Sequence, residues 1–514
     1  MEERSVETED DARAWRTALF VNVGAALVRL LFAAILPLFP DETYYWDWSR
    51  GSHLAAGYFD HPPMIAVLIR AGTALFGSSP IAIRFFPVLC GAIASLAATA
   101  IARRLGGGGA ARTAAIVFAL MPLAASGLVL ATPDAPLLAA SAVGLLAVVR
   151  ALQSTRGSRA SLLWWSAAGV ALGVAFASKY TSILLPLCIT AAVLLRPSLR
   201  ERLREPGPYV ACVLATLVFL PVLRWNAAHE WISFRFQLQH GLGSPPFARG
   251  SALKRELDLI GGQLGLVSPI LFVLMAHAVW RTLSRRSDDV RAALAIVAVG
   301  SWLFFLYSAL RRSVEANWPA PSYIPGVALL AALPRQPAHD RWLRRGIVLA
   351  AVMVGVIYLH ALVPILPLAA RRDPTARAAG WEDVAARVEE ARRATKGGGR
   401  VWVGADRYQD VSELAYHIAG RPVVVCVCLT GRHNQYDLWP GFPNIAAPGD
   451  ALVLALDERS NGLTHETVEK LTPYFTSVAR GAPAPLLRGN DTVSARRVWM
   501  LEGYRGGWPS RIEP

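Results

Sequence analysis

The feature that most constrains this chain is a succession of apolar stretches, each about as long as a bilayer is thick, separated by short polar clusters through its first two-thirds. A helix needs about 20 apolar residues to cross the hydrocarbon core. On that rule spans fall near 17–39, 81–102, 112–130, 134–151, 161–178, 180–196, 208–225, 258–280, 289–310, 318–334 and 344–367. The expected fold is mainly α, a polytopic bundle of about 11–13 spans. The run 63–77, just after Pro62-Pro63, is too short to span and reads as an interfacial helix.

Composition agrees: 54% of residues are hydrophobic and 17% charged, against roughly 25% charged in an ordinary soluble chain. The deficit ends near Ala370, which divides a membrane domain, 1–370, from a C-terminal soluble domain, 371–514. There, WEDVAARVEEARRAT and YQDVSELAYHIAG have helical periodicity, and RVWVGA, RPVVVCVCL, DALVLALD and ARRVWMLEGY read as strands of a small α/β layer. KGGGR at 396–400 lacks phosphate-loop spacing and reads as a turn. The five cysteines suggest no disulfide framework, and Cys426 and Cys428 read as small buried residues.

The net charge of +15 comes from Arg clusters between apolar runs, not from a stripe that would track nucleic acid. Arg103, Arg104 and Arg112 fall in one loop; Arg150, Arg156 and Arg159 lie two loops on, and the alternation continues to Arg335–Arg345. By the positive-inside rule these loops and the N-terminus are cytoplasmic. The acidic start, MEERSVETEDDARAW, is unlike a cleavable signal peptide. An odd span count then puts the C-terminal domain outside a bacterial inner membrane.

The intervening loops face that same outer side and hold the unusual chemistry, which predicts one composite site. Asp41 and Glu42 follow the first span among Tyr44, Tyr45, Trp46 and Trp48, and Asp60-His61-Pro62-Pro63 brings a second acid back. An interfacial carboxylate suits deprotonation of an acceptor hydroxyl, and cations such as Lys179 and Arg84 suit a phosphate leaving group. The bland readings are a solvated helix end for Asp41-Glu42 and snorkelling for the cations. A transporter or lipid flippase, the alternative function, predicts mid-span charges and two related halves, neither of which this sequence has.

The ordered set DE, YFDHPP, AIRFFP, TPDAP, SKYT and EANWPAP, followed by RYQDVSELAYHIAGRPVV and GRHNQYDLW, resembles the bacterial branch of the protein O-mannosyltransferase and aminoarabinose-transferase superfamily. The resemblance implies the GT-C fold and an inverting glycosyltransferase at the outer face of the inner membrane. Its donor would be a polyprenyl-phosphate-linked sugar, and its acceptor a lipid A, another envelope glycolipid, a polysaccharide or a protein. Asp41 matches the catalytic base, with Glu42 competing; Lys179 matches the Lys that binds the lipid phosphate, and Arg84, Tyr58 and His61 are further candidates for donor phosphate and lipid contacts. His61 stands where aminoarabinose transferases carry Lys, and its charge varies near neutral pH. Asp134 matches a further active-site acid, or caps the helix that follows it. Asp60 and His240 match a possible divalent-metal pair, short of the four ligands zinc usually takes; otherwise His240 is a substrate contact. Arg407, Tyr408, Glu413, Asn434, Gln435 and Tyr436 are candidates for acceptor binding, or an exposed polar edge.

Overall fold

The computed structural model describes residues 2–243, 251–285, 287–396, 398–458, 461–489 and 491–511. The chain forms two compact units, one of Met1–Leu36 with Ala55–Val363 and one of Pro37–Leu54 with Pro364–Pro514. The segment after the first helix, expected in the membrane domain, is instead part of the second unit.

The first unit is helical. Among the described residues seven helices are long and apolar enough to cross a membrane, and two bent pairs raise the number to nine. The expected count is higher because several apolar runs are broken. Pro80–Leu120 takes in the expected span 81–102 and the first half of 112–130 as one helix, interrupted at Gly106 and Gly107, where Gly107 has φ +72. Only glycine adopts that conformation cheaply. Ala252–Val267 and Pro269–Ser284 meet at 103°, with Ser268 at φ +81 just before a proline. Tyr323–Ala331 is short and wholly buried. A core of small and aliphatic side chains, including Ala98, Ala114, Leu145, Leu271, Ala295 and Val327, runs through the helices. Such small residues let helix backbones approach closely where lipid offers no hydrophobic drive to association. Met64–Phe76 is present as a short amphipathic helix burying Ile65, Ala66 and Ile69.

The second unit is built on a five-stranded sheet in the order β2-β1-β3-β5-β4. Its strands are β1 (Val401–Ala405), β2 (Val424–Cys426), β3 (Ala451–Asp457), β4 (Phe475–Arg488) and β5 (Asp491–Tyr504). β2, β1 and β3 are parallel, while β5 and β4 extend the sheet antiparallel. β3 is buried at every position, as a central strand covered on both faces should be. β4 has no counterpart among the expected strands, because Gly481, Pro483 and Pro485 break its pattern; an edge position and a register shift between Arg480 and Pro483 accommodate them.

Two features of this unit correct the sequence reading. Cys426 and Cys428 form a disulfide, with Cα atoms 5.1 Å apart. Glu413, expected at an acceptor surface, is fully buried. It lies on the Tyr408–His417 helix with His417 Nε2 at 3.2 Å from its Oε2. Beside it, Arg496 grips both oxygens of buried Asp410 at 2.8 and 2.9 Å.

Burial raises the Glu413 carboxyl to about 7, opposed by His417 and helped by Asp410. Because the folded value exceeds the ordinary 4.5, Glu413 favours the folded unit below the ordinary value. That contribution is lost as pH rises through about 7. Glu413→Gln should therefore stabilise the detergent-solubilised protein against unfolding more at pH 8 than at pH 5, by on the order of 2 kcal/mol. An equal change at both pH values would contradict the shift.

Candidate functional site

In the first unit the chemistry gathers on Asp134. This residue opens the Asp134–Gln153 helix, yet its side chain does not cap it. Lys179 Nζ lies 2.7 Å from Oδ1, and Asn317 Nδ2 donates to Oδ2 at 2.7 Å. The active-site expectation and the capping expectation are thus separated: both oxygens are directed at other segments. Lys179 is buried at 8% exposure, just beyond the Arg159–Phe176 helix. Desolvated charges of this kind persist when each has a partner.

Each partner is itself held. Gln263 Nε2 donates to the Ala316 carbonyl at 2.9 Å and Gln263 Oε1 accepts from Tyr323 at 2.7 Å, which sets the approach to Asn317. The Met64 N–H donates to the Ala177 carbonyl at 3.0 Å, tying the Asp60-His61-Pro62-Pro63 turn to the segment leading into Lys179. On the other side of that turn, Gln237 donates to the Asp60 carbonyl at 2.6 Å and Ser233 to the Tyr58 carbonyl at 2.6 Å. A Cβ on Gly57 would approach the Trp225 indole to 2.6 Å, so only glycine fits there. Tyr58 is fully buried, its hydroxyl accepting from the Ala55 N–H at 3.0 Å. Burial pushes its phenol up to about 12. Tyr58 therefore shapes the turn from inside. His61 is only partly buried.

Arg84 is the clearest departure. Its guanidinium is wholly buried and donates to the carbonyls of Ala33 at 3.2 Å and Leu36 at 2.7 Å. These are among the last carbonyls of the first helix, which lack intrahelical partners. Arg84 thus secures a helix end through Nη1. Among the described residues no three His, Cys, Asp or Glu side chains form a metal cluster, and the His240 side chain lies outside the described residues.

In the second unit the two neighbouring acids differ. Glu42 is fully buried, and its Oε2 accepts the Phe39 N–H at 3.0 Å, closing the start of the Pro40–Trp48 helix. Asp41 is exposed, with the Tyr408 hydroxyl 3.4 Å from Oδ1. The helix is fastened by a Thr43–Ser412 hydroxyl pair at 3.0 Å, the Gln435 N–H to Tyr44 at 2.8 Å, and Tyr436 to Asp47 at 2.7 Å. Buried Asn434 caps a turn by accepting the Tyr436 N–H at 2.9 Å. Of the expected acceptor contacts, Asn434, Gln435 and Tyr436 are buried with Glu413 inside the unit, whereas Arg407 and Tyr408 reach its surface.

A unit of apolar helices and a small α/β unit thus make up the chain, and its relatives identify the class. The family described as dolichyl-phosphate-mannose-protein mannosyltransferase matches residues 60–225. Lipid A galacturonosyltransferase RgtD of Rhizobium johnstonii is 30% identical over 356 residues, covering 68% of this chain and 72% of that protein. An undecaprenyl phosphate-aminoarabinose arabinosyl transferase of Pseudomonas aeruginosa is 31% identical over 39% of this chain and 38% of its own length. The fold matches ArnT from Cupriavidus metallidurans, solved with undecaprenyl phosphate, with a TM-score of 0.65 at 16% identity over 95% and 98% of the two chains. The chain belongs to the GT-C superfamily of lipid-linked glycosyltransferases. It is a multi-pass membrane enzyme that transfers a sugar.

Asn317, which sequence reasoning passed over as part of EANWPAP, is the residue the geometry adds. Asn317→Ala removes one charge-assisted hydrogen bond from Asp134 and should lower transfer by roughly 10- to 100-fold. Because Asn317 and Lys179 share Asp134, the Asn317→Ala/Lys179→Ala pair should lose less than the product of the single losses. Strictly multiplicative turnover losses would show that the three do not act as a unit.

Proposed function

We propose that this enzyme moves a sugar from a polyprenyl-phosphate carrier to a hydroxyl of a lipid A-type glycolipid at the outer face of the bacterial inner membrane. The observation that carries the reading is the division between the two acids: Glu42 is spent on its helix start, which leaves Asp41 as the accessible carboxylate. Asp41 takes the proton of the acceptor hydroxyl, whose oxygen attacks the anomeric carbon. The carbon–oxygen bond to phosphate breaks with inversion, and the lipid phosphate leaves with the bonding pair. Lys179 offsets the charge on that phosphate, and Asp134 with Asn317 sets where its ammonium lies.

Similarity to a lipid A galacturonosyltransferase over most of both chains supports a glycolipid acceptor and makes galacturonic acid the first sugar to test. Lipid A mass spectra from cells making the enzyme should gain one sugar residue. Asp41→Asn at equal protein level should lower that gain by about 10²–10⁴-fold. Glu42→Gln should retain transfer but lower thermal stability. A normal gain with Asp41→Asn would overturn the base assignment.

The orientation rests on two independent supports. Arg-rich loops favour the cytoplasm, and the Cys426–Cys428 disulfide suits an oxidising compartment. In intact spheroplasts, a membrane-impermeant reductant followed by an impermeant maleimide should label both cysteines. Labelling that requires lysis would place the C-terminal unit inside.

A further inference from the structure

At the end of the Asp134–Gln153 helix remote from Asp134 lies a cavity of about 540 Å³ that the transfer reaction does not use. Twenty helical residues separate the two ends, about 30 Å at the usual rise. Its principal walls are Asp11, Trp15, Arg103, Arg104, Arg150 and Trp164. One of the three guanidiniums is neutralised: Arg103 Nη2 lies 3.2 Å from Asp11 Oδ2 and stacks over Trp15 at 4.5 Å.

The other two are held by uncharged groups. Arg104 Nε donates to Gln153 Oε1 at 2.7 Å, and the Arg150 guanidinium lies over Trp164 at 4.5 Å. Among the described residues neither forms an ion pair with a carboxylate, and Asp11 is the only acid lining the cavity. Arg104 is exposed and Arg150 half-buried, so two positive charges without a carboxylate partner share a cavity that an anion can reach from outside the chain. The surroundings say what carries it. Ala100 and Leu146 also line the cavity, and Leu163 beside Trp164 is exposed at 60% on an apolar helix. Arginine with tryptophan at the end of transmembrane helices is the chemistry that meets lipid headgroups. The volume also lies within the range of about 300–1,000 Å³ usual for ligand sites.

We propose that this cavity binds the phosphodiester headgroup of an anionic glycerophospholipid, with Arg104 and Arg150 on the phosphate and Trp15 and Trp164 at the glycerol level. The site belongs to the Arg-rich ends of the helices, so it is a lipid site separate from Asp134 and Lys179. It does not depend on which sugar the enzyme transfers.

The delipidated full-length protein, offered phosphatidylglycerol, phosphatidylcholine or inorganic phosphate, tests this by native mass spectrometry and thermal shift. Wild type should retain and be stabilised by phosphatidylglycerol over phosphatidylcholine. Arg104→Gln/Arg150→Gln should weaken phosphatidylglycerol binding by roughly 10- to 30-fold and leave phosphatidylcholine unchanged. Should that pair fold poorly, Arg150→Gln alone should show a smaller loss that Arg150→Lys largely restores. Lys179→Ala should keep the preference intact. Equal binding of the two lipids, or loss with Lys179→Ala but not with the Arg variants, would overturn the assignment. Stabilisation by inorganic phosphate as large as that by phosphatidylglycerol would overturn the lipid source.

Discussion

A carboxylate with both oxygens engaged governs the first unit. Asp134 sits at the start of an apolar helix, where an unpartnered charge would be expensive, and it is matched by Lys179 on one oxygen and Asn317 on the other. The three residues come from distant parts of the chain, so their pairing fixes a helix start, the link after the Arg159–Phe176 helix and the turn at 316–319 against one another. Much of the local structure serves that arrangement. Gln263 and Tyr323 steer the Asn317 segment, and the Met64–Ala177 bond ties the Asp60-His61 turn to the approach of Lys179.

The second unit solves a different problem. The segment 37–54 leaves the first helix, whose final carbonyls Arg84 holds, and forms a short helix that belongs with the C-terminal sheet. Buried hydroxyl, phenol and backbone partners fasten it there. Glu42 closes the helix from inside while Asp41 stays at the surface. Two adjacent acids of the same chemistry are thus placed differently, one facing inward and the other outward.

Much of this was legible in the sequence where a physical signal is local. Apolar length located 134–151, 161–178, 208–225 and 289–310. Breaks within apolar runs were less legible. The Gly106–Gly109 run and Ser268-Pro269 are signals in hindsight, but apolar length outweighed them. Side-chain direction was not legible at all. Nothing local shows that Arg84 turns to backbone carbonyls, that Glu413 points into the core, or that Cys426 and Cys428 meet across one residue. Strand β4 escaped because its edge position tolerates the Gly and Pro that argue against a strand.

The account stands or falls on polyprenyl phosphate as the leaving group and Asp41 as the base. Release of free polyprenyl phosphate from membranes carrying wild type, Asp41→Asn or Glu42→Gln reads both without assuming the sugar or the acceptor. The account predicts release with wild type and with properly folded Glu42→Gln, and none above background with Asp41→Asn. Undiminished release with Asp41→Asn, or none from wild type supplied with native donor lipid and envelope acceptors, would contradict it.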